Sequence, residues 1–213
     1  MLPVFTPPNK NNTTGCILAG GRASRMGGVD KGLQVFRGQS LVQRAAQRLQ
    51  PQVAEVMVNA NRHVDVYTQM GLRVVADTEC ADQGPLSGFL TGLHHCHTEW
   101  LVTVPCDCPF FPLDLVNAMC ATAAAQAYVV SVVASRPWPE QPQQDWLLQP
   151  VFCLMHRSVY GSLKDYLQNG GHKITDWALQ QPQSGRCCYA GVDLGMDPFA
   201  NANTLQELQA LQA

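Results

Sequence analysis

The chain is short of charge, and the charge it has is balanced. Lys and Arg number 14 against 16 Asp and Glu, a net charge of −2 over 213 residues. It therefore has no field of one sign to draw in nucleic acid or an anionic membrane surface. Any anionic ligand must be met by a local cluster of Arg and Lys. No apolar run is long enough to span a bilayer. The first residues, MLPVFTPPNKNNTT, lack the basic start and apolar core of a secretion signal. Nine cysteines are present without a disulfide-framework spacing: the count is odd, Cys187 and Cys188 are adjacent, and Cys106 and Cys108 flank one residue. Reduced thiols in a cytoplasmic setting are the expectation. No internal repeat is visible.

Several familiar reaction loops are missing too. A Walker A loop needs Gly-Lys-Ser/Thr, but Lys31 follows Asp30 and precedes Gly32. The dinucleotide fingerprint G-x-G-x-x-G has no register between Gly20 and Gly28. Without a Gly-x-Ser-x-Gly elbow, a hydrolase triad has no support. His94-His95-Cys96-His97 suggests a metal cluster, yet on a helix only His94 and His97 share a face. No second ligand pair stands at zinc spacing.

What remains is 46% hydrophobic, enough for one sizeable core. Apolar runs alternate with helical patterns. Gly15–Leu18, Glu55–Asn59, Arg73–Ala76, Trp100–Pro105 and Tyr128–Ala134 read as strands buried on both faces. Ser40–Leu49 reads as a helix with Leu41, Ala45 and Leu49 inward and Arg44 and Arg48 outside. Pro85–His97 and Pro112–Ala125 read as two more, the first with Pro at its opening position. The alternation predicts an α/β fold, Rossmann-like, with a mostly parallel sheet and helices on both faces. Residues 1–14 read as a mobile tail and 15–213 as one domain, its nucleotide half about 15–135 and an irregular acceptor-side lobe about 136–213. In that lobe Arg136–Trp146 is a Pro/Gln-rich loop. Leu147–Met155 and Arg186–Ala190 read as strands, and Val159–Gln168 as a helix. Near the end, Asn203 stands three residues before Gln206, as in a capping box.

In an open parallel sheet, ligands sit beyond the carboxyl ends of the strands. Leu18 ends the first strand and is followed by AGGRASRMGGVDK. Gly20 and Gly21 permit positive φ and let backbone N–H groups approach a phosphate. Arg25 and Lys31 can add charge-assisted bonds. The same residues also suit a surface turn with solvated charges. Asp107 follows the strand Trp100–Pro105, and a carboxylate there suits Mg²⁺ beside phosphates; the bland alternative is a turn-forming Asp before Pro109. Asp77 and Asn59 end strands, as turn-forming residues often do. Gly84-Pro85-Leu86-Ser87-Gly88 opens a helix, whose N-terminus can receive an anion or simply begin a helix.

Taken in order, LAGGRASRMGGVDKGL (18–33), VMVNANRH (56–63), VVAD (74–77), GPLSG (84–88), PCDCP (105–109) and FANANTLQEL (199–208) make the chain resemble the MobA family, the molybdenum cofactor guanylyltransferases. The likeness covers most of the chain from residue 15. It implies a fold like the nucleotide-diphospho-sugar transferases. It also implies transfer of GMP from GTP to Mo-molybdopterin, with release of pyrophosphate. On that resemblance Arg25, Lys31 and Asp107 are catalytic, and Leu18, Ala19, Gly20, Gly21, Lys31, Asn59, Asp77 and Asp107 hold the nucleotide. Asp107 would hold Mg²⁺ or Mn²⁺. Gly84, Ser87, Asn201 and Asn203 would lie on the acceptor side. LAGG, rather than LAAG, goes in the family with guanine over cytosine. Where the family often has Thr or Met, this chain has Cys108. The implied partners are GTP, Mo-molybdopterin and, transiently, molybdenum-inserting enzymes and apo-molybdoenzymes, with no nucleic acid and no membrane. The alternatives are a cytidylyltransferase for the same pterin, a sugar-1-phosphate nucleotidyltransferase and a non-catalytic guanine-nucleotide-binding protein.

Overall fold

A computed structural model describes residues 5–20, 30–81, 83–136, 145–190 and 196–211. The first strand, β1 (Thr13–Leu18), starts two residues before its expected position. Of the segment expected to trail as a mobile tail, the described residues 5–12 are fastened. Phe5 packs on His156 with ring centroids 4.1 Å apart, and Trp100 Nε1 donates to the carbonyl of Thr6 at 2.9 Å. Asn9 then caps a short turn at residues 10–12. A hairpin of β2 (Val35–Phe36) and β3 (Gln39–Ser40) leads into α1 (Leu41–Leu49), whose N-cap is Ser40. The chain continues through β4 (Glu55–Asn59), α2 (Val64–Gln69), β5 (Arg73–Val75), α3 (Pro85–His95) and β6 (Trp100–Pro105). After α4 (Leu115–Gln126) come β7 (Val130–Ser135) and β8 (Leu147–His156), then α5 (Tyr160–Gln168), α6 (Ile174–Ala178), β9 (Ser184–Tyr189) and α7 (Leu205–Ala210).

Among the described residues the main sheet has seven strands in the order β5-β4-β1-β6-β8-β7-β9. β8 runs antiparallel to both of its neighbours, and the other pairings are parallel. Alternate strand residues face opposite layers. Ile17, Val58, Val102 and Val104 meet α1 and α4 on one face. Cys16, Met57 and Leu101 meet α3, α5 and α6 on the other. The lobe expected after residue 135 is not separate from the sheet among the described residues, since β8 and β9 join it.

The topology fixes where a ligand can sit. From β1 the chain moves outward through β4 and β5, then crosses back to lay β6 on the opposite flank of β1. The order reverses between β1 and β6, which opens a crevice at their carboxyl ends, where Leu18 pairs with Pro105. Because β8 is antiparallel, its early residues reach that same end. There its register with β7 slips between Val132 and Val133, and residues 150–152 drop out of the ladder. Pro150 has no N–H to give a ladder, so a bulge suits it. Thr103 Oγ1 meets the Val151 carbonyl thus released at 2.7 Å.

α1 departs from its expected surface. Arg44 and Arg48 do not point into solvent: Arg44 Nε donates to the Pro109 carbonyl at 2.9 Å, and Arg48 donates to the carbonyls of Phe110 and Phe111. They pin the loop that follows Asp107. A third apolar cluster of Phe36, Leu41, Phe110, Ala202 and Leu208 joins that loop to the hairpin and to α7.

Candidate active site

A cleft of about 780 Å³ lies at the carboxyl ends of the strands. Each wall follows from the topology. β1 runs out into Leu18, Ala19 and Gly20, β4 into Asn59 and Asn61, and β6 into Asp107. The bulged part of β8, from Gln149 to Phe152, forms the opposite wall. Asp197, Asn201 and Asn203 close it from the C-terminal segment.

Its charged centre is Lys31. The side chain of Lys31 is a quarter exposed, and Nζ donates to Asp107 Oδ2 at 2.9 Å and to Asn203 Oδ1 at 2.8 Å. Three distant parts of the chain thus converge on one ammonium. Asp107 is held from its own backbone as well, since its carbonyl accepts from Ala202 N at 3.0 Å. Beside it Cys106 and Cys108 are buried, and burial pushes both thiols well above the usual thiol range, with the Asp107 carboxylate adding to the effect. They are neutral packing groups, so neither supplies a thiolate nucleophile.

A second cluster lines the β4 and β5 ends. Asp77 accepts from Asn59 Nδ2 at 2.8 Å, from Asn61 Nδ2 at 2.8 Å and from Thr91 Oγ1 at 2.7 Å. Its own N–H donates to Asn61 Oδ1 at 2.7 Å. The carboxylate therefore fixes which way both amides face. α3 packs hard against this cluster, since a Cβ at Gly88 would stand 2.5 Å from Asn59 Oδ1. Asn61 was not singled out from the sequence. Its signal was its place two residues beyond Asn59, past the end of the same strand.

The acceptor-side expectations divide. Gly84, at φ 72° and ψ −153°, adopts a conformation that a side chain disfavours, and it lines the cleft at the N-terminus of α3. Ser87 does not line it. It is 1% exposed, and its hydroxyl donates to the Cys80 carbonyl at 2.6 Å and accepts from Gln83 N at 3.0 Å. Asn201 and Asn203 both face the cleft. Asn203 does not cap the last helix: Thr204 does, in a capping box with Glu207. The shift of one residue releases the Asn203 amide for Lys31. Arg25 and Gly21 lie outside the described residues, as does most of the Pro/Gln-rich loop. Asp197 was also not anticipated; its carboxylate accepts from Phe199 N at 2.8 Å and so shapes the turn leading to Asn201.

Comparison with known proteins supplies a family. The model of the MobA-like NTP transferase domain matches residues 15–184. A molybdenum cofactor guanylyltransferase of Acidovorax ebreus is 46% identical over 209 residues, covering 95% of this chain and 96% of that protein. A protein of the same description from Bordetella petrii is 46% identical over 204 residues, covering 95% and 98%. Among solved structures, molybdopterin-guanine dinucleotide biosynthesis protein A from Archaeoglobus fulgidus aligns with a TM-score of 0.69 at 16% identity, over 93% of this chain and 96% of that one. The 4-diphosphocytidyl-2C-methyl-D-erythritol synthase of Anaerococcus prevotii aligns with a TM-score of 0.69 at 10% identity, over 95% of each. These two likenesses speak for the fold. The match over residues 15–184 and the near full-length identity place the chain in the MobA-like NTP transferase family, among the molybdenum cofactor guanylyltransferases.

Proposed function

We propose that the chain transfers GMP from GTP to Mo-molybdopterin, releasing pyrophosphate. The observation that carries this reading is the convergence of Lys31, Asp107 and Asn203 in the cleft at the β1–β6 switch point. The terminal phosphate of the pterin attacks the α-phosphorus of GTP. A P–O bond forms to that oxygen, the bond to the β-phosphate oxygen breaks, and pyrophosphate leaves with the electron pair. A phosphate monoester has a second pKa of about 6, so the attacking oxygen is anionic at neutral pH and needs no general base. What the reaction demands is neutralisation and alignment where two anions meet, the usual main source of catalysis in phosphoryl transfer.

Lys31 is the described cation placed for that task. Asp107 and Asn203 hold its ammonium at the strand ends before any nucleotide arrives, so little reorganisation is left to the reaction. The backbone of Leu18, Ala19 and Gly20 forms the floor for the nucleotide. Asn59, Asn61 and Asp77 present a fixed set of amide and carboxylate groups where the base would lie. Gln149–Phe152 and Asn201, all from beyond residue 135, and Gly84, from before it, line the cleft where the acceptor would bind. Arg25 and Gly21, from the same glycine loop, complete the proposed phosphate contacts.

The donor set also fits Mg²⁺, which takes one or two carboxylates together with phosphate oxygens. Lys31 occupies Asp107 Oδ2; among the described residues Oδ1 meets only Cys108 Sγ, at 4.0 Å. A bound Mg²⁺ or Mn²⁺ would supply charge neutralisation at the triphosphate. A cytosolic setting is supported by the nine cysteines, all free thiols. Hand-over among molybdenum-inserting enzymes and apo-molybdoenzymes belongs to the same proposal and rests on the family likeness.

The test is pyrophosphate release by Asp107→Ala. Turnover with GTP, molybdopterin and Mg²⁺ should fall by roughly 10²–10³ while the thermal transition stays cooperative. Near-normal turnover would remove Asp107 from the site.

A further inference from the structure

Lys31 is set from behind by residues that never reach the cleft. Asp30 is 5% exposed, and its Oδ1 accepts two hydrogen bonds, from Gly32 N at 3.0 Å and from Tyr67 Oη at 2.6 Å. The first bond caps the short helical turn at residues 31–33 that carries Lys31. The second comes from α2, where Tyr67 is fully buried. Burial and the bond to Asp30 hold the phenol well above its usual range, so it remains a hydrogen donor. Gln34 closes the turn from its far end: its N–H donates to the Lys31 carbonyl and its Nε2 to the Asp30 carbonyl, both at 3.0 Å. A lysine has a long, freely rotating stem. Its ammonium can be aimed only if the backbone beneath it is fixed, and the bonds to Asp30 and Gln34 fix that backbone.

The fit at Tyr67 is tight. A Cβ at position 32 would stand 2.5 Å from the Tyr67 hydroxyl. Glycine is required there by this close approach, because the hydroxyl must come down on Asp30 beside it. A buried tyrosine hydroxyl usually finds some hydrogen-bond partner; this one bonds to the carboxylate next to Lys31 in sequence.

We propose that Tyr67 and Asp30 are positioning residues for Lys31: the Tyr67 hydroxyl locks Asp30, Asp30 locks the turn, and the turn aims the ammonium at the nucleotide phosphates. The proposal rests on the reading of Lys31 as a phosphate contact and adds what holds it there. Neither residue lines the cleft.

The experiment is a double-mutant cycle read by GTP affinity in titration calorimetry. Tyr67→Phe keeps the buried ring and removes only the hydroxyl. It should weaken GTP binding on the order of three- to tenfold in the otherwise native chain and less than twofold in a Lys31→Ala background, the coupling expected of residues that act as one unit. Gly32→Ala perturbs the same hydroxyl by crowding and should show the same loss and the same coupling. Tyr67→Phe that lowers the melting temperature but leaves GTP affinity unchanged would overturn the proposal. So would an equal loss of affinity in both backgrounds, which is what a merely structural tyrosine would give. GTP binding is read rather than turnover, so the test does not depend on the acceptor substrate.

Discussion

Lys31 Nζ and Asn203 Oδ1 lie 2.8 Å apart although 172 residues separate them in the chain. The contact exists because Thr204, not Asn203, caps α7. The two neighbours therefore separate activity from stability. Asn203→Ala removes one of the two described partners of the Lys31 ammonium, whose side chain is a quarter exposed and can take water instead, so the melting temperature should stay nearly unchanged. Turnover is expected to fall roughly tenfold or more, towards the 10²–10³ typical of losing one contact at the developing charge. Thr204→Ala should do the reverse, costing about 1 kcal/mol of stability through the lost cap with turnover retained. Side-by-side melting curves and pyrophosphate release check both.

Two glycines of α3 make a second contrast. At Gly88 an added Cβ would meet Asn59 Oδ1 at 2.5 Å, and Asn59 is held by Asp77 and cannot swing away. At Gly92 the nearest atom is Leu101 Cδ2 at 2.8 Å, the end of a side chain from the amino end of β6, away from the cleft at the carboxyl ends of the strands. Overpacking of this kind costs about 1–3 kcal/mol. Gly88→Ala is expected to lose both stability and GTP affinity, and Gly92→Ala stability alone. Denaturant titration and calorimetry distinguish the two.

Arg48 is half-buried and donates to two successive carbonyls in the loop after Asp107. Its loss strands both acceptors, at about 1–3 kcal/mol for each that goes unpaired. Arg48→Lys should recover little of the stability, because an ammonium lacks the planar fork that spans two carbonyls. If Lys restores the native melting temperature, charge rather than geometry holds the loop.

His156 makes stability depend on pH. Burial against Phe5 and Trp100 lowers its pKa, and Arg157 adds to this against the opposing pull of Glu99. Burial also lowers the pKa of His95, helped by His94. A depressed histidine binds fewer protons folded than unfolded, so its contribution to stability is fully present above the unfolded pKa of about 6.5. It is lost as pH falls from there through the folded value. The urea midpoint should thus decline from pH 7 towards pH 5. His156→Asn keeps an acceptor for Ser158 N and should flatten part of that decline, with the His95 share remaining.

Much of the framework was legible because it rests on local rules. Glu55–Asn59 and Trp100–Pro105 are short apolar runs buried on both faces, and their bounds in the structure match the sequence reading. Ser40 and Pro85 mark helix starts by their own chemistry. α2 was missed because Val64 and Val66 are part-exposed and Tyr67 alone is buried, which leaves no periodic face over six residues. Arg44 and Arg48 sit where a helix normally meets water; only the loop folded over them turns them inward. The same limit applies in the site. Residues at strand ends could be named, but the hydroxyl bond of Tyr67 to Asp30, the bonds of the Ser87 hydroxyl to the backbone of Cys80 and Gln83, and the choice between Asn203 and Thr204 as cap are decided by tertiary contacts.

The proposed transfer turns most directly on the choice of nucleotide and acceptor. Pyrophosphate release should be measured with GTP, CTP, ATP and UTP in Mg²⁺, each with and without molybdopterin. The expected result is release with GTP alone and only when molybdopterin is present. Equal or greater release with CTP would contradict the guanine assignment. No release from any of the four, despite measurable GTP binding, would contradict the proposed transfer itself.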